Sequence, residues 1–144
     1  MKTQLSVTKS ICANNGNSFT ESDLESICGN AKSTKKRGES IGYRGIGFKS
    51  VIDLSNTIHL FSGNIEVTFS KELTKNELNS DYDVPLIRIP HTFQSKNKLE
   101  IRKCCHKLKE RGFNTIFVFE NVSQEKIINE IDNFNEECIL FLAT

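Results

Sequence analysis

The feature that most limits the folds open to this chain is a polar stretch in its first half. Residues 30–47 read NAKSTKKRGESIGYRGIG and hold almost no side chain suited to a buried core. A polar loop of this length inside a compact domain is uncommon, and it is usually functional or disordered. Four of the chain's eight glycines, at positions 38, 42, 45 and 47, fall within it. The stretch therefore separates two groups of core-forming elements and is the first candidate for a functional loop.

Apolar patterns predict a strand and a helix before this stretch. The strand runs from Leu5 to Ala13 and stops at residues 14–16, which read Asn-Asn-Gly. Thr20 then begins a helix, and Asp23 stands three residues later in a capping-box position. The core-facing stripe of this helix comprises Leu24, Ile27 and Cys28.

More elements are predicted beyond the polar stretch, with a polar and at best weakly helical segment at 71–83. In chain order they are a short buried helix at 48–54, a β-hairpin at 58–69, an edge strand at 86–89, a helix at 99–111, a strand at 113–119 and a helix from Ser123. His59 is predicted at the core edge or on the surface of its strand. The order predicts one α+β domain over residues 1–144, a two-layer α/β sandwich with a mixed, mostly antiparallel sheet and helices on one face.

Composition excludes several classes of function. A charged fraction of 26% and a net charge of +1 exclude a polybasic nucleic-acid arm and an acidic tail. No run of eighteen apolar residues and no secretory signal occurs, so we expect no membrane partner. Five cysteines without a C-x-x-C pair favour reduced thiols in a cytoplasmic protein.

No arrangement of catalytic side chains emerges from the sequence. The histidines do not stand in a Ser-His-Asp or Cys-His order that indicates a hydrolase. The run Cys104-Cys105-His106 lacks a second ligand pair at a zinc-binding spacing. We therefore predict neither catalytic residues nor metal ligands.

The glycine cluster fits neither of the two common phosphate-binding motifs. In a P-loop, Lys follows the second glycine directly, whereas Phe48 follows Gly47 here. A dinucleotide fingerprint reads G-x-G-x-x-G, and this cluster has the reverse order. Physically, Gly45 and Gly47 allow close backbone approach at the start of a helix, whose unpaired N–H groups attract a di- or triphosphate. The alternative is a flexible, solvated loop, which is basic because six of 19 Lys and Arg lie in 32–49 beside one acid.

Three spaced motifs together resemble the GHKL ATP-binding fold, the Bergerat fold of gyrase B, histidine kinases and MutL. They are N-N-G-x-x-F-T-x-x-D-L from residue 14, K-S-T-K from residue 32 and G-Y-R-G-I-G-F-K-S-V from residue 42. Within this class they are most similar to the sacsin-like and NO VEIN-like ATP-binding modules. The resemblance is strong over residues 12–54 and weaker beyond.

The resemblance implies a set of nucleotide-binding residues, with ATP as the ligand and magnesium in complete relatives. Asn14, Asn15 and Gly16 fall on the adenine box; Lys32, Ser33, Thr34 and Lys35 on a lid within 29–47; Gly42, Arg44, Gly45, Ile46, Gly47, Phe48, Lys49 and Ser50 on the phosphate-binding glycine box; and Thr115 on a nucleotide-contacting threonine.

The sequence departs from this class in two places. Asparagine replaces the acid of the adenine box, and an amide is a weaker acceptor than a carboxylate. The first helix of the class, with its catalytic Glu and magnesium-binding Asn, has no counterpart before residue 14. We therefore expect an incomplete or degenerate module that binds ATP or ADP without hydrolysing it and acts on neighbouring domains or a partner protein. The alternatives are an interaction or structural module with a disabled pocket and, less favoured, a nucleic-acid binder that uses the basic loop.

Overall fold

The computed structural model of the chain describes residues 9–29, 55–122 and 125. Five antiparallel strands in these ranges form one sheet in the order β1-β5-β2-β3-β4. The strands are β1 Ser10–Asn14, β2 Thr57–Ser62, β3 Ile65–Ser70, β4 His91–Thr92 and β5 Thr115–Glu120, and the helices are α1 Glu21–Cys28, α2 Lys71–Leu78 and α3 Lys98–Glu110.

The centre of the sheet is buried on both sides because β2 and β5 carry apolar residues on both of their faces. In β2, Ile58 and Leu60 point to one face, whereas Phe61 points to the other. Their register partners in β5 extend the same pattern, since Leu60 lies opposite Phe117 and Phe61 lies opposite Ile116. Other elements must therefore pack against both faces of these strands, as is typical of strands with a continuous run of apolar residues.

Two separate hydrophobic clusters cover the two faces. On the face that we call the α1 face, partly buried Leu24, Ile27 and Cys28 pack against a cluster that contains Ile58 and Phe117. On the opposite face, the α3 face, Ile101 and Cys105 of α3 join Phe61, Phe93, Ile116 and Val118. The α+β class and the layering of helices on an antiparallel sheet are confirmed. The structure differs from the expectation in two respects. The described strands are all antiparallel, whereas a mixed sheet was predicted, and α1 and α3 lie on opposite faces.

Local capping signals in the sequence reappear in the helices. The Thr20 hydroxyl accepts from the Asp23 N–H, and the Asp23 carboxylate accepts from the Thr20 N–H at 2.8 Å, which completes the predicted capping box. At the second helix, the Ser70 side chain caps α2, and Asn79 ends it in the left-handed conformation with φ of 48°. The segment predicted as weakly helical therefore contains a two-turn helix with a cap at each end.

The predicted edge strand at 86–89 is wrong. These residues form bends, and Leu86 and Ile87 are buried in the cluster on the α1 face without strand pairing. The edge strand is instead β4, which follows Pro90 and pairs with β3. The apolar run between the two prolines thus reflects burial of its side chains against the sheet, because an apolar run bounded by prolines fits a buried bend as well as an edge strand.

The remaining elements agree with the prediction where the structure describes them. The hairpin of β2 and β3, the helix α3 and the strand β5 are confirmed, each within two residues of its predicted bounds. The predicted helix at 48–54, the lid at 29–47 apart from Gly29, and the helix from Ser123 apart from Glu125 lie outside the described residues. None of the three described helices is long and apolar enough to cross a membrane.

Candidate functional site

The predicted adenine box forms a compact turn at the end of β1, which we call the N-N-G turn (residues 14–16). The Asn14 Oδ1 accepts from the Gly16 N–H at 3.1 Å, a side-chain bond typical of asparagine in turns. Asn114 lies beside the turn and donates from Nδ2 to the backbone oxygens of Gly16, at 3.0 Å, and Asn15, at 3.4 Å. The backbone N–H of Asn114 also donates to the backbone carbonyl oxygen of Asn14 at 2.9 Å. One residue just before β5 therefore holds the turn in place.

The sheet brings Asn14 next to Thr115, two residues predicted from separate parts of the sequence. They are register partners across β1 and β5, and Ser62 of β2 is the next partner of Thr115. Because register partners share a face, these three side chains form a polar row on the α1 face, with Leu60 and Phe117 in the adjacent row. The end of the sheet thus changes from apolar to polar at the N-N-G turn.

The inner part of this polar row is completely buried. The Ser62 and Thr115 hydroxyl oxygens lie 2.6 Å apart, and neither residue is exposed. The Phe19 N–H donates to the Ser62 oxygen at 2.8 Å, so the segment leading into α1 is fixed to β2. A buried hydroxyl without a partner is costly, and each of these two has one.

Exposure divides the predicted site residues into two groups. Asn14, Asn15 and Gly16 are exposed and offer atoms to a ligand. The Thr115 hydroxyl lies beneath them and is engaged with Ser62, so a contact between Thr115 and nucleotide stays a prediction. Lys32, Ser33, Thr34, Lys35, Gly42 and residues 44–50 lie outside the described residues.

Two residues of this site were missed by sequence reasoning. Ser62 stands beside the turn of the predicted hairpin, yet it continues the alternation of Ile58 and Leu60, which is a signal for the α1 face. Asn114 lies near the start of the predicted strand at 113–119 and belongs to none of the three motifs. Its hydrogen bonds to the N-N-G turn depend on the pairing of β1 with β5, which no local pattern reveals.

A second polar cluster lies on the α3 face around His59, which is fully buried, contrary to the prediction. The ring Nδ1 lies 2.9 Å from the Thr68 hydroxyl, and Nε2 lies 3.3 Å from a Glu120 carboxylate oxygen. Ser95 donates to the other oxygen of that carboxylate at 2.7 Å. Burial lowers the pKa of His59, and the Glu120 carboxylate opposes part of that shift. This cluster joins three strands and the loop after β4.

Two open cavities of about 570 Å³ each lie beside the far end of β5, where Asn121 lines both. Neither includes a residue predicted to contact nucleotide. Within residues 9–29 and 55–122, no three His, Cys, Asp or Glu side chains are grouped so that they could hold a metal ion. The N-N-G turn is therefore the candidate site that sequence and structure share.

These features define an α+β domain with an antiparallel sheet, helices on both faces and an exposed asparagine turn at one sheet end. In comparison with curated proteins, the chain is similar to Protein NO VEIN of Arabidopsis thaliana, with 28% identity over 140 residues. The match covers 92% of this chain and only 5% of the Arabidopsis protein. No family model and no solved structure match the chain.

Proposed function

We propose that the chain is a nucleotide-binding module of the GHKL class that takes ATP or ADP at the N-N-G turn. The observation that carries the proposal is the register pairing of Asn14 with Thr115. The resemblance assigns both residues to one nucleotide site from motifs far apart in the sequence, and a chance assignment gives no reason for them to be neighbours. The similarity to a segment of NO VEIN supports the same class, because the motifs most resemble the modules of that group.

Different predicted parts of the site contact different parts of the nucleotide. The N-N-G turn contacts the base, while backbone N–H groups of the glycine box and the following helix start hold the phosphates. Lys32 and Lys35 of the lid add positive charge. No residue is assigned to hydrolysis, so the proposed activity is nucleotide binding.

Thermal unfolding with ATP and with ADP tests whether nucleotide binds. A ligand at a hundred times its Kd stabilises the folded state by about 2.7 kcal/mol, which raises the melting temperature by several degrees. Gly47→Val should abolish the rise, because a side chain there blocks the approach of a phosphate to the backbone. Gly38→Val places the same side chain in the same polar stretch outside the motif and should retain it.

Chemical modification of Cys12 tests where nucleotide binds. This exposed thiol lies two residues before Asn14 on the same face of β1, at a distance of about 7 Å along the strand. Bound nucleotide should slow the reaction of Cys12 with a thiol reagent, measured by peptide mass spectrometry, whereas inorganic phosphate should not. A thermal shift without protection of Cys12 would place the nucleotide elsewhere. No shift at millimolar nucleotide would favour an interaction module with a disabled pocket.

A further inference from the structure

The sequence contains a single Asn-Gly pair, and it lies in the N-N-G turn, where both Asn15 and Gly16 are exposed. An asparagine side chain can react with the backbone nitrogen of the next residue, and glycine favours this reaction because it has no side chain to hinder the approach. Within residues 9–29 and 55–122, the Asn15 side chain has no hydrogen-bond partner, so its amide carbon is free to turn towards that nitrogen. The turn therefore places a reactive pair of residues at the surface.

The peptide group between Asn15 and Gly16 is held from two sides. Its N–H donates to Asn14 Oδ1 at 3.1 Å, and its carbonyl oxygen accepts from Asn114 Nδ2 at 3.4 Å. Asn114 Nδ2 also donates to the next carbonyl oxygen, that of Gly16, at 3.0 Å. The Gly16 nitrogen can attack a neighbouring carbon only after its N–H leaves Asn14 and gives up the proton. The bond to Asn14 therefore opposes the reaction.

We propose that Asn15 is a site of spontaneous deamidation and that the Asn14 side chain slows the reaction by engaging the Gly16 N–H. The Gly16 nitrogen loses its proton to water and attacks Asn15 Cγ, the Cγ–Nδ2 bond breaks, and the amide nitrogen takes up a proton from water and leaves as ammonia. The product is a five-membered succinimide, which water opens at either carbonyl to give aspartate or isoaspartate. Both products carry a new negative charge at the N-N-G turn, and isoaspartate also lengthens the main chain by one carbon.

The deamidation site is independent of the proposed nucleotide binding, because the reaction needs only water. Loss of the Asn14 acceptor should raise the rate at Asn15 by about three- to tenfold, which is the factor expected for one hydrogen bond that must open before the reaction.

Mass spectrometry of the peptide that contains Asn15 measures the reaction in the folded full chain, incubated without nucleotide. Deamidated product should accumulate at Asn15, and it should accumulate at least three times faster when the same chain is unfolded in urea. This comparison needs no variant. A folded chain that reacts as fast as the unfolded chain, or an unfolded chain that yields no product at Asn15, would overturn the inference.

Two variants at position 14 assign the slow rate to one hydrogen bond. Asn14→Ala removes the acceptor and should raise the rate in the folded chain by about three- to tenfold, whereas Asn14→Asp retains an oxygen for the Gly16 N–H and should react no faster than the original chain. In urea, Asn14→Ala and the original chain should react at equal rates, which excludes an effect of the neighbouring residue on the chemistry itself. If folded Asn14→Ala, checked by circular dichroism, reacts no faster than the original chain, the role of Asn14 is contradicted.

Discussion

The buried hydroxyl pair beneath the N-N-G turn gives a quantitative test of the polar row. Thr115→Val keeps the shape of the side chain and removes the hydroxyl that lies 2.6 Å from the Ser62 oxygen. Ser62 still accepts from the Phe19 N–H but loses its hydroxyl partner. Leaving a buried polar group unpaired costs about 1–3 kcal/mol, so we expect Thr115→Val to lower the free energy of unfolding by about 1.5–2 kcal/mol.

A double-mutant cycle separates this hydrogen bond from general effects of substitution. Ser62→Ala removes the acceptor of the Phe19 N–H as well as the partner of Thr115, so it should cost about 2–3 kcal/mol. In the double variant neither hydroxyl remains, and only the Phe19 N–H has lost its partner. The double variant should therefore be about 1 kcal/mol more stable than the sum of the two single changes implies, which is the interaction energy of the pair.

Urea unfolding followed by circular dichroism measures these changes in a chain that contains no tryptophan. With an m-value of about 2 kcal/mol/M, Thr115→Val should lower the midpoint by about 0.75–1 M. The matched control is Thr92→Val on the exposed edge strand β4, which should change stability by less than about 0.5 kcal/mol. Equal effects at positions 115 and 92, or additivity in the cycle, would refute the reasoning.

Three further predictions concern the rest of the described fold. Burial lowers the pKa of His59 in the folded state, so the unfolded chain takes up a proton first as the pH falls through about 6.5. The contribution of His59 to the free energy of unfolding should be complete above that pH and should fall below it by up to about 1.4 kcal/mol per pH unit. Urea midpoints that do not change from pH 7.5 to 5.5 would contradict this. Thr20→Ala removes the capping box of α1 and should cost about 1 kcal/mol in the same assay, whereas no loss would show that the cap is dispensable. Phe61→Ala opens a cavity in the cluster on the α3 face and should cost about 3–5 kcal/mol, while Leu99→Ala on exposed surface should cost less than about 0.5 kcal/mol; similar losses would argue against the assigned core.

The sequence predicts those parts of the fold that depend on neighbouring residues. The Thr20 and Asp23 capping box and the alternating pattern of the β2–β3 hairpin involve residues a few positions apart, and both are confirmed. Ile87 shows where such reasoning fails, because an apolar run bounded by prolines fits a buried bend as well as a strand. His59 was misplaced because its burial depends on a pairing partner, Val118, far along the chain.

In the candidate site, too, some residues could be predicted from the sequence and others could not. The family resemblance assigns Asn14 and Thr115 to one site, and the sheet register brings these two residues together. Ser62 and Asn114 could not be nominated, because their contacts with the site exist only when β5 lies between β1 and β2.

The sheet order has a consequence for the order of folding. The β2–β3 hairpin joins residues close in sequence, whereas among the described strands β1 pairs only with β5, near the other end of the described chain. Closing a longer loop costs more chain entropy, and contacts between distant residues slow folding. On the ribosome, the hairpin is complete long before Thr115 is synthesised, whereas the strand that pairs with Asn14 in the described sheet, β5, emerges later. The N-N-G turn therefore acquires its Asn114 and Thr115 contacts late, and a nascent chain that ends before β5 carries the turn without its support.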